Sequence, residues 1–143
     1  MVFKFNMKKK FKAMVLSCID PRFQPLVYNY LKKKKLTGKY SAFTIAGSAI
    51  GVTHDKFKKW HSVFIENLST SIKLHKIEKL IVINHTDCGA AKIANGKKEF
   101  NSLNENKIHK VSFNKLKKIV KKKFPKLKID LNLMSINKKI KKI

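Results

Sequence analysis

Two short stretches of this chain carry residues that could do chemistry. The first contains Cys18, Asp20 and Arg22, and the second contains His85 and Cys88. Thiolate sulfur and imidazole nitrogen are the ligands that zinc prefers, and a His-x-x-Cys spacing lets one turn supply two of them. We therefore interpret the two stretches as halves of one zinc site, with Cys18, His85 and Cys88 as the ligands.

Three protein ligands leave one coordination position of the zinc open. A structural zinc site normally has four protein ligands, and the chain contains no third cysteine. An open position is the catalytic arrangement, because zinc lowers the pKa of a bound water to about 7 and so supplies hydroxide at neutral pH. The sequence therefore predicts a zinc-bound hydroxide as the reactive group.

Asp20 and Arg22 are the candidate catalytic pair beside this metal. Arg22 is the only arginine among 34 basic residues, which indicates that a planar, bidentate guanidinium is needed there and that a lysine charge does not suffice. If Arg22 holds Asp20, the carboxylate stays ionised and can accept a hydrogen bond from the zinc-bound water. If Arg22 releases it, Asp20 could take the fourth zinc position and shut the site off. The sequence leaves both states open.

Three small residues are the candidate substrate contacts. Ala46 and Gly47 follow the second predicted strand, where small side chains let the backbone approach a ligand closely. An ordinary turn between a strand and a loop is the plainer alternative for this pair. Gly89 follows the second motif directly and is the third candidate.

The elements that must hold these residues are strands that alternate with helices. Apolar runs predict strands at 13–17, 40–45 and 80–83, and an alternating pattern predicts a fourth strand, at an edge, over 127–133. This alternation predicts an α/β fold of three layers, with a mainly parallel central sheet of four to five strands and helices on both faces. We expect the strand order 2-1-3-4, because the two motifs meet if the first and third strands are neighbours and the second lies on the far side of the first. Ligands bind beyond the carboxyl ends of such strands, which is where both motifs fall.

Further expectations concern single segments of the chain. One long helix should start from a cap at Thr53 or Asp55. Residues 95–106 should form a polar loop. The histidines outside the two motifs should lie at the surface, and these are His54, His61, His75 and His109.

The length of 143 residues fits a single domain that can bury a core without disulfide bonds. We divide the chain into an N-terminal arm (1–12), one zinc domain (13–136) and a frayed basic tail (137–143). The arm has no uninterrupted apolar run, so we expect neither a signal peptide nor a membrane span, and we place the protein in the cytoplasm. In that reducing compartment we expect two metal-binding cysteines, with a disulfide as the minor alternative.

The net charge of +26 could favour binding to polyanions. The lysines are spread from Lys4 to Lys142, and arginine, which reads guanine edges and stacks on bases, is nearly absent. We therefore expect a solvated basic surface and no specific nucleic-acid partner. A non-catalytic, lysine-rich module that binds polyanions is the alternative from a different functional class.

The two motifs together resemble the signature of the β-class carbonic anhydrases. That signature is Cys-x-Asp-x-Arg followed by His-x-x-Cys-Gly, and it is present here as residues 18–22 and 85–89. The resemblance also takes in Ala46-Gly47 and the last strand, so it covers residues 13–136 at the level of element order. It implies a small, divergent carbonate dehydratase, which uses zinc to convert carbon dioxide reversibly to bicarbonate.

The resemblance also implies an obligate dimer whose interface lies beside the zinc sites, so we expect a homodimer or a dimer of dimers. The sequence departs from the family pattern at Pro21, where serine is commonest, and at Thr44-Ile45, where Arg-Asn often precedes Ala-Gly. The short arm also lacks a glutamine that reaches the substrate in many members. These departures leave the ligands intact, but they admit carbonyl sulfide or carbon disulfide, which relatives on this fold hydrolyse, as alternative substrates.

Overall fold

A computed structural model of the chain describes residues 10–137 and 139–143, so most of the expected N-terminal arm lies outside the described residues. Within these residues one sheet is built from β1 (Ala13–Ser17), β2 (Tyr40–Thr44), β3 (Lys79–His85), β4 (Lys128–Met134) and β5 (Ile140–Lys142). The strand order is β2-β1-β3-β4-β5; the first four strands run parallel and β5 runs antiparallel to β4. The predicted α/β fold and strand order are confirmed, with β5 added at one edge.

The helices are α1 (Gln24–Lys33), α2 (Ala49–Thr53), α3 (His61–His75), α4 (Gly89–Asn95) and α5 (Ser102–Lys123). In α1 the sequence signals are easy to recognise, because a proline lies in its first turn and two lysines lie in its last turn, where they face the negative end of the helix dipole. None of the helices in the described part of the chain combines the length and the apolar character needed to cross a membrane.

Both faces of the sheet carry a hydrophobic core, because successive residues of a strand point to opposite faces. On one face the strands pack against α2, α3 and α5, and the buried residues there include Met14, Leu16, Phe64, Leu68, Leu80, Val82, Phe113, Leu116 and Val120. On the other face they pack against α1, and the buried residues are Ala13, Val15, Phe23, Val27, Leu31, Ile81, Ile83 and Met134. The three-layer arrangement predicted from the sequence is therefore present.

The prediction of one long helix that starts from a cap at Thr53 or Asp55 is wrong. The segment forms α2, then a 3-10 helix (Asp55–Trp60), and then α3. At the break Phe57 has a non-helical backbone, with φ of −120° and ψ of 29°, and its ring stacks on Trp60 with the ring centroids 4.8 Å apart. Apolar spacing could not reveal this break, because a three-residue interval suits both kinds of helix.

Two expectations about α5 are also wrong. The helix begins at Ser102, so residues 102–106 are helical and the predicted loop is shorter. The side chain of Asn101 caps it by accepting a hydrogen bond from the Asn104 N–H group. His109 lies in this helix and is buried, not exposed, whereas the other three histidines outside the motifs are half-buried.

The C-terminal tail is more ordered than we expected. Residues 140–142 form β5, which pairs with residues 132–134 of β4, after a turn in which the Ser135 N–H group donates to the Lys139 carbonyl oxygen. The outer side of β4 is therefore covered over that stretch, and β4 is not the edge strand that the alternating pattern predicted. Alternating apolar and polar residues indicate that one face of a strand is exposed to solvent. They do not indicate whether a later segment pairs with the strand.

A substitution at Gly51 tests how closely α2 packs against the loop that follows β2. A Cβ atom at residue 51 would overlap the backbone carbonyl oxygen of Ala46. We expect Gly51→Ala to lower the free energy of unfolding by about 3 kcal/mol, measured by urea denaturation with Trp60 fluorescence as the probe. Gly89→Ala is the matched control, because a Cβ atom there meets nothing within 4 Å, and we expect a change below about 1 kcal/mol. A Gly51→Ala variant as stable as the parent would contradict the close packing of α2.

Candidate metal centre

The carboxyl ends of β1 and β3 bring Cys18, His85 and Cys88 together. Cys18 follows β1 directly, His85 is the last residue of β3, and Cys88 lies in the turn that follows. Because β1 and β3 are parallel neighbours, both turns leave the sheet at the same edge. The sulfur and imidazole nitrogen atoms lie within 4.8 Å of one another and all three residues are buried. The three predicted ligands therefore form a group that could hold a metal ion.

The His85 ring keeps its Nε2 atom available for a metal. The Nδ1 atom lies 2.8 Å from the Thr86 carbonyl oxygen, to which it can only donate, so the ring proton is assigned to Nδ1. Nε2 is buried and has no hydrogen-bond partner among the described residues. A buried acceptor nitrogen beside two sulfur atoms would be satisfied by a divalent cation, and zinc suits this mixed set of donors. The residues present therefore fit zinc.

The two thiols have pKa values shifted in opposite directions. The neighbouring Cys88 thiol lowers the pKa of Cys18 to about 4, although burial opposes this shift. The Gly47 N–H group donates to the Cys18 sulfur at 3.3 Å and also favours the thiolate. The same proximity to Cys18, together with burial, raises the pKa of Cys88. One thiolate beside one thiol is therefore the favoured state of the pair, and a cation that binds both sulfurs must displace the remaining proton.

Asp20 and Arg22, the two residues predicted to be catalytic, contact each other beside this group. The Arg22 side chain donates to Asp20 Oδ1 at 3.1 Å and to Oδ2 at 2.7 Å, and the Arg22 backbone N–H group donates to Oδ1 at 3.0 Å. These hydrogen bonds hold the pKa of Asp20 below its usual value, so the carboxylate stays ionised. Asp20 Oδ2 lies 3.8 Å from His85 Nε2, so the pair borders the three candidate ligands.

Arg22 also contacts the second motif, through Asp87. One terminal nitrogen of its guanidinium donates to the Asp87 carboxylate at 2.9 Å, and the other donates to the Asp87 carbonyl oxygen at 3.0 Å. Asp87 has a left-handed backbone, with φ of 55°, which turns both acceptors toward Arg22. Asp87 is not among the site residues predicted from the two motifs. The available signal was a carboxylate inside the His-x-x-Cys turn of a chain with one arginine.

The structure gives Gly47 a local reason to be glycine. Its backbone is left-handed, with φ of 79°, and a Cβ atom would lie 2.6 Å from the Cβ atom of Ala90. Glycine thus allows the N–H group of residue 47 to reach the Cys18 sulfur. Ala46 is half-buried beside it, and Gly89 begins α4 with open space around it. Substrate contacts for Ala46, Gly47 and Gly89 stay predictions.

Comparison with known proteins gives a family and a fold. A protein-family model described as "Putative carbonic anhydrase" matches residues 7–135. An uncharacterized protein of Rickettsia conorii is 27% identical over 126 residues, which are 87% of this chain and 68% of that protein.

Solved structures of carbonic anhydrases share the fold at low sequence identity. The carbonic anhydrase from Glaciozyma antarctica matches with a TM-score of 0.61 and 18% identity, over 94% of this chain and 83% of that chain. A tetrameric β-carbonic anhydrase from Sordaria macrospora matches with a TM-score of 0.57 and 10% identity, over 94% of this chain and 81% of that chain. With the family match over most of its length, this chain belongs to the carbonic anhydrase family, as a small and divergent member with the β-class fold.

Proposed function

We propose that this chain is a zinc-dependent carbonic anhydrase that converts carbon dioxide and water reversibly to bicarbonate and a proton. The observation that carries the proposal is the buried group of Cys18, His85 and Cys88 with the Asp20–Arg22 pair at its border. The family match supports the same reaction class. Such a site has to activate a water molecule, orient it toward an apolar substrate and remove a proton.

The three ligands would hold zinc through two sulfur atoms and His85 Nε2. Zinc, when bound, supplies Lewis acidity that lowers the pKa of water to about 7 and makes it a nucleophile at neutral pH. The protein prepares the ligands for this role: the Thr86 carbonyl oxygen orients the His85 ring, and the Gly47 N–H group stabilises the Cys18 thiolate. Both cysteines are free, and the cytoplasmic location that we also propose would keep them reduced.

Asp20 is the group that we expect to orient the reacting water. Arg22 keeps its pKa low and fixes the direction of both oxygens, so an ionised acceptor is held beside the ligands. A hydrogen bond from the water to this carboxylate would aim a lone pair of the water oxygen at the carbon of the substrate. The alternative role of Asp20, as a fourth metal ligand, would first require it to leave Arg22. The contacts with Arg22 therefore favour the role of acceptor.

The same site could act on carbonyl sulfide or carbon disulfide, which differ from carbon dioxide by sulfur in place of oxygen. The departure from the family pattern at Thr44-Ile45, directly before the candidate substrate contacts Ala46 and Gly47, keeps these substrates as alternatives. To test these alternatives, carbonyl sulfide and carbon disulfide are each supplied in place of carbon dioxide to the same zinc-loaded preparation, and turnover is measured. Turnover of a sulfur compound with no hydration of carbon dioxide would change the proposed substrate and leave the proposed metal centre in place.

Assembly into a homodimer, or a dimer of dimers, is part of the proposal. The β-carbonic anhydrases from Sordaria macrospora are tetrameric. In this chain Ile19, directly after the ligand Cys18, is 58% exposed, and Leu103 at the start of α5 is 64% exposed. A second copy related by two-fold symmetry would remove such apolar side chains from water.

Sedimentation velocity at micromolar concentration tests the assembly. We expect a species of twice or four times the chain mass, and Ile19→Glu should weaken it, because a buried charge at the interface would lack a partner. Val63→Glu, at a 47% exposed position on α3, is the control that changes charge elsewhere. A fully active monomer would contradict the proposed assembly.

Metal analysis tests the ligand assignment. The purified protein should contain one zinc per chain, and Cys88→Ser should lose it, since a neutral hydroxyl replaces a thiolate. Zinc content is measured after dialysis, with circular dichroism to confirm that the variant is folded. Retention should also weaken as the pH falls, because protons compete for both sulfurs and for His85. A folded Cys88→Ser protein with stoichiometric zinc would show that the assignment is wrong.

The Asp20–Arg22 pair should behave as one functional unit. We expect Asp20→Ala and Arg22→Lys each to lower kcat/KM for carbon dioxide hydration by about 100-fold, and the double variant to lose little more. Lysine keeps the charge but cannot donate to both oxygens of Asp20. Stopped-flow assays with a pH indicator give the rates, and zinc content should stay at the parent level.

Lys10→Ala is the matched control for this pair, because it breaks a surface ion pair with Glu78 of 2.7 Å. Its rate should equal that of the parent. If Arg22→Lys is as fast as the parent while Asp20→Ala is slow, then Arg22 does not orient Asp20 and the proposed coupling is wrong.

A further inference from the structure

The turn that carries the second and third ligands is held from behind by a buried carboxylate. Glu105, on α5, accepts a hydrogen bond from the Asp87 N–H group on one oxygen and from the Cys88 N–H group on the other, both at 2.9 Å. Glu105 is only 7% exposed. Burial of a carboxylate is costly unless its oxygens are paired, so these two N–H groups account for its position.

A second buried side chain, His109, lies beside the Glu105 carboxylate at a distance slightly longer than a hydrogen bond. His109 lies one helical turn further along α5, and its Nε2 atom is 3.6 Å from Glu105 Oε2. The amide of Asn84 lies on the other side of this ring: its oxygen accepts from the Ala49 N–H group at 3.0 Å, and its nitrogen is 2.9 Å from His109 Nδ1. Because the amide oxygen is already used as an acceptor, the amide nitrogen donates to Nδ1, and the ring proton is assigned to Nε2, toward Glu105.

These contacts connect the two halves of the candidate metal centre. At one end Glu105 binds the backbone of the turn that contains Cys88. At the other end Asn84 binds the Ala49 N–H group, two residues after Gly47, whose own N–H group donates to the Cys18 sulfur. A shift of the Glu105 carboxylate would therefore move one sulfur ligand relative to the other.

We propose that Glu105 is a positioning residue for the metal centre, which acts through the backbone N–H groups of Asp87 and Cys88, and that His109 holds its carboxylate in place. This inference rests on the proposed zinc function. Groups outside the ligand set that orient the ligands typically change metal affinity by about 10- to 100-fold. A purely structural role for Glu105, joining α5 to the sheet, would change stability and leave the properties of the bound metal unaltered.

Glu105→Gln is the decisive variant. Glutamine has nearly the same shape, but its amide offers one acceptor oxygen, so its NH₂ group would face a backbone N–H group and one of the two hydrogen bonds would be lost. Glu66→Gln is the matched control, because Glu66 is an exposed residue of α3 and the substitution removes the same charge. His109→Gln removes the ring and leaves both hydrogen bonds of Glu105 in place.

Two measurements on the folded full chain separate positioning from stability. Zinc affinity is obtained by competition with a chromophoric chelator, and the cobalt(II)-loaded proteins give visible and sulfur-to-cobalt absorption bands that report the coordination geometry. We expect Glu105→Gln to bind zinc about 10- to 100-fold more weakly and to shift the cobalt bands, and His109→Gln to do the same to a smaller extent. Glu66→Gln should match the parent in both.

The outcomes distinguish this inference from the function on which it rests. A parent protein that binds neither zinc nor cobalt would overturn both. If the parent binds zinc, and Glu105→Gln binds it equally well with unchanged cobalt bands, the inference alone is overturned. If Glu105→Gln does not fold, His109→Gln decides the question: unchanged affinity and bands overturn the inference, and a weaker affinity with shifted bands supports it.

Discussion

The parallel pairing of β1 with β3 is the constraint on which the rest of the structure depends. Ser17 lies opposite Ile83, which places Cys18 beside the end of β3 and therefore beside His85. Both strands are buried on each face, so their apolar side chains determine the pairing and its register. A slip by one residue would send every side chain of one strand to the opposite face and separate the sulfur of Cys18 from the other two ligands.

Negative charge gathers at the candidate metal centre, although the chain as a whole is strongly positive. The protein has 34 basic and 8 acidic residues, yet Asp20, Asp87 and Glu105 all lie at the candidate metal centre together with the Cys18 thiolate. Arg22 and backbone N–H groups offset part of this negative charge. A divalent cation would offset more of it, and three of the eight acidic residues therefore lie where a metal would bind.

Hydrogen bonds between loops join the parts of the chain that form the candidate metal centre. Arg22 joins the turn after β1 to the turn after β3, and Glu105 joins the latter turn to α5. Gly47 adds the loop after β2 through its N–H group. The hydrogen bonds between these loops connect the segments that carry the candidate ligands, so a displacement of one loop would disturb the others.

The sequence by itself determined the chemistry of the candidate ligands and the alternation of strands and helices, because residue type and apolar spacing are local properties. The strand order followed only from the added requirement that the two motifs meet at one edge of the sheet. Only the tertiary structure decided the rest. Glu105 and His109 fall where sequence reasoning expected a loop and a surface residue, and their roles arise from contacts with β3 and its turn. Asp87 meets Arg22 across 65 residues of chain, and no spacing rule reports a contact of that kind. Such interactions depend on which turns the folded sheet brings to the same edge.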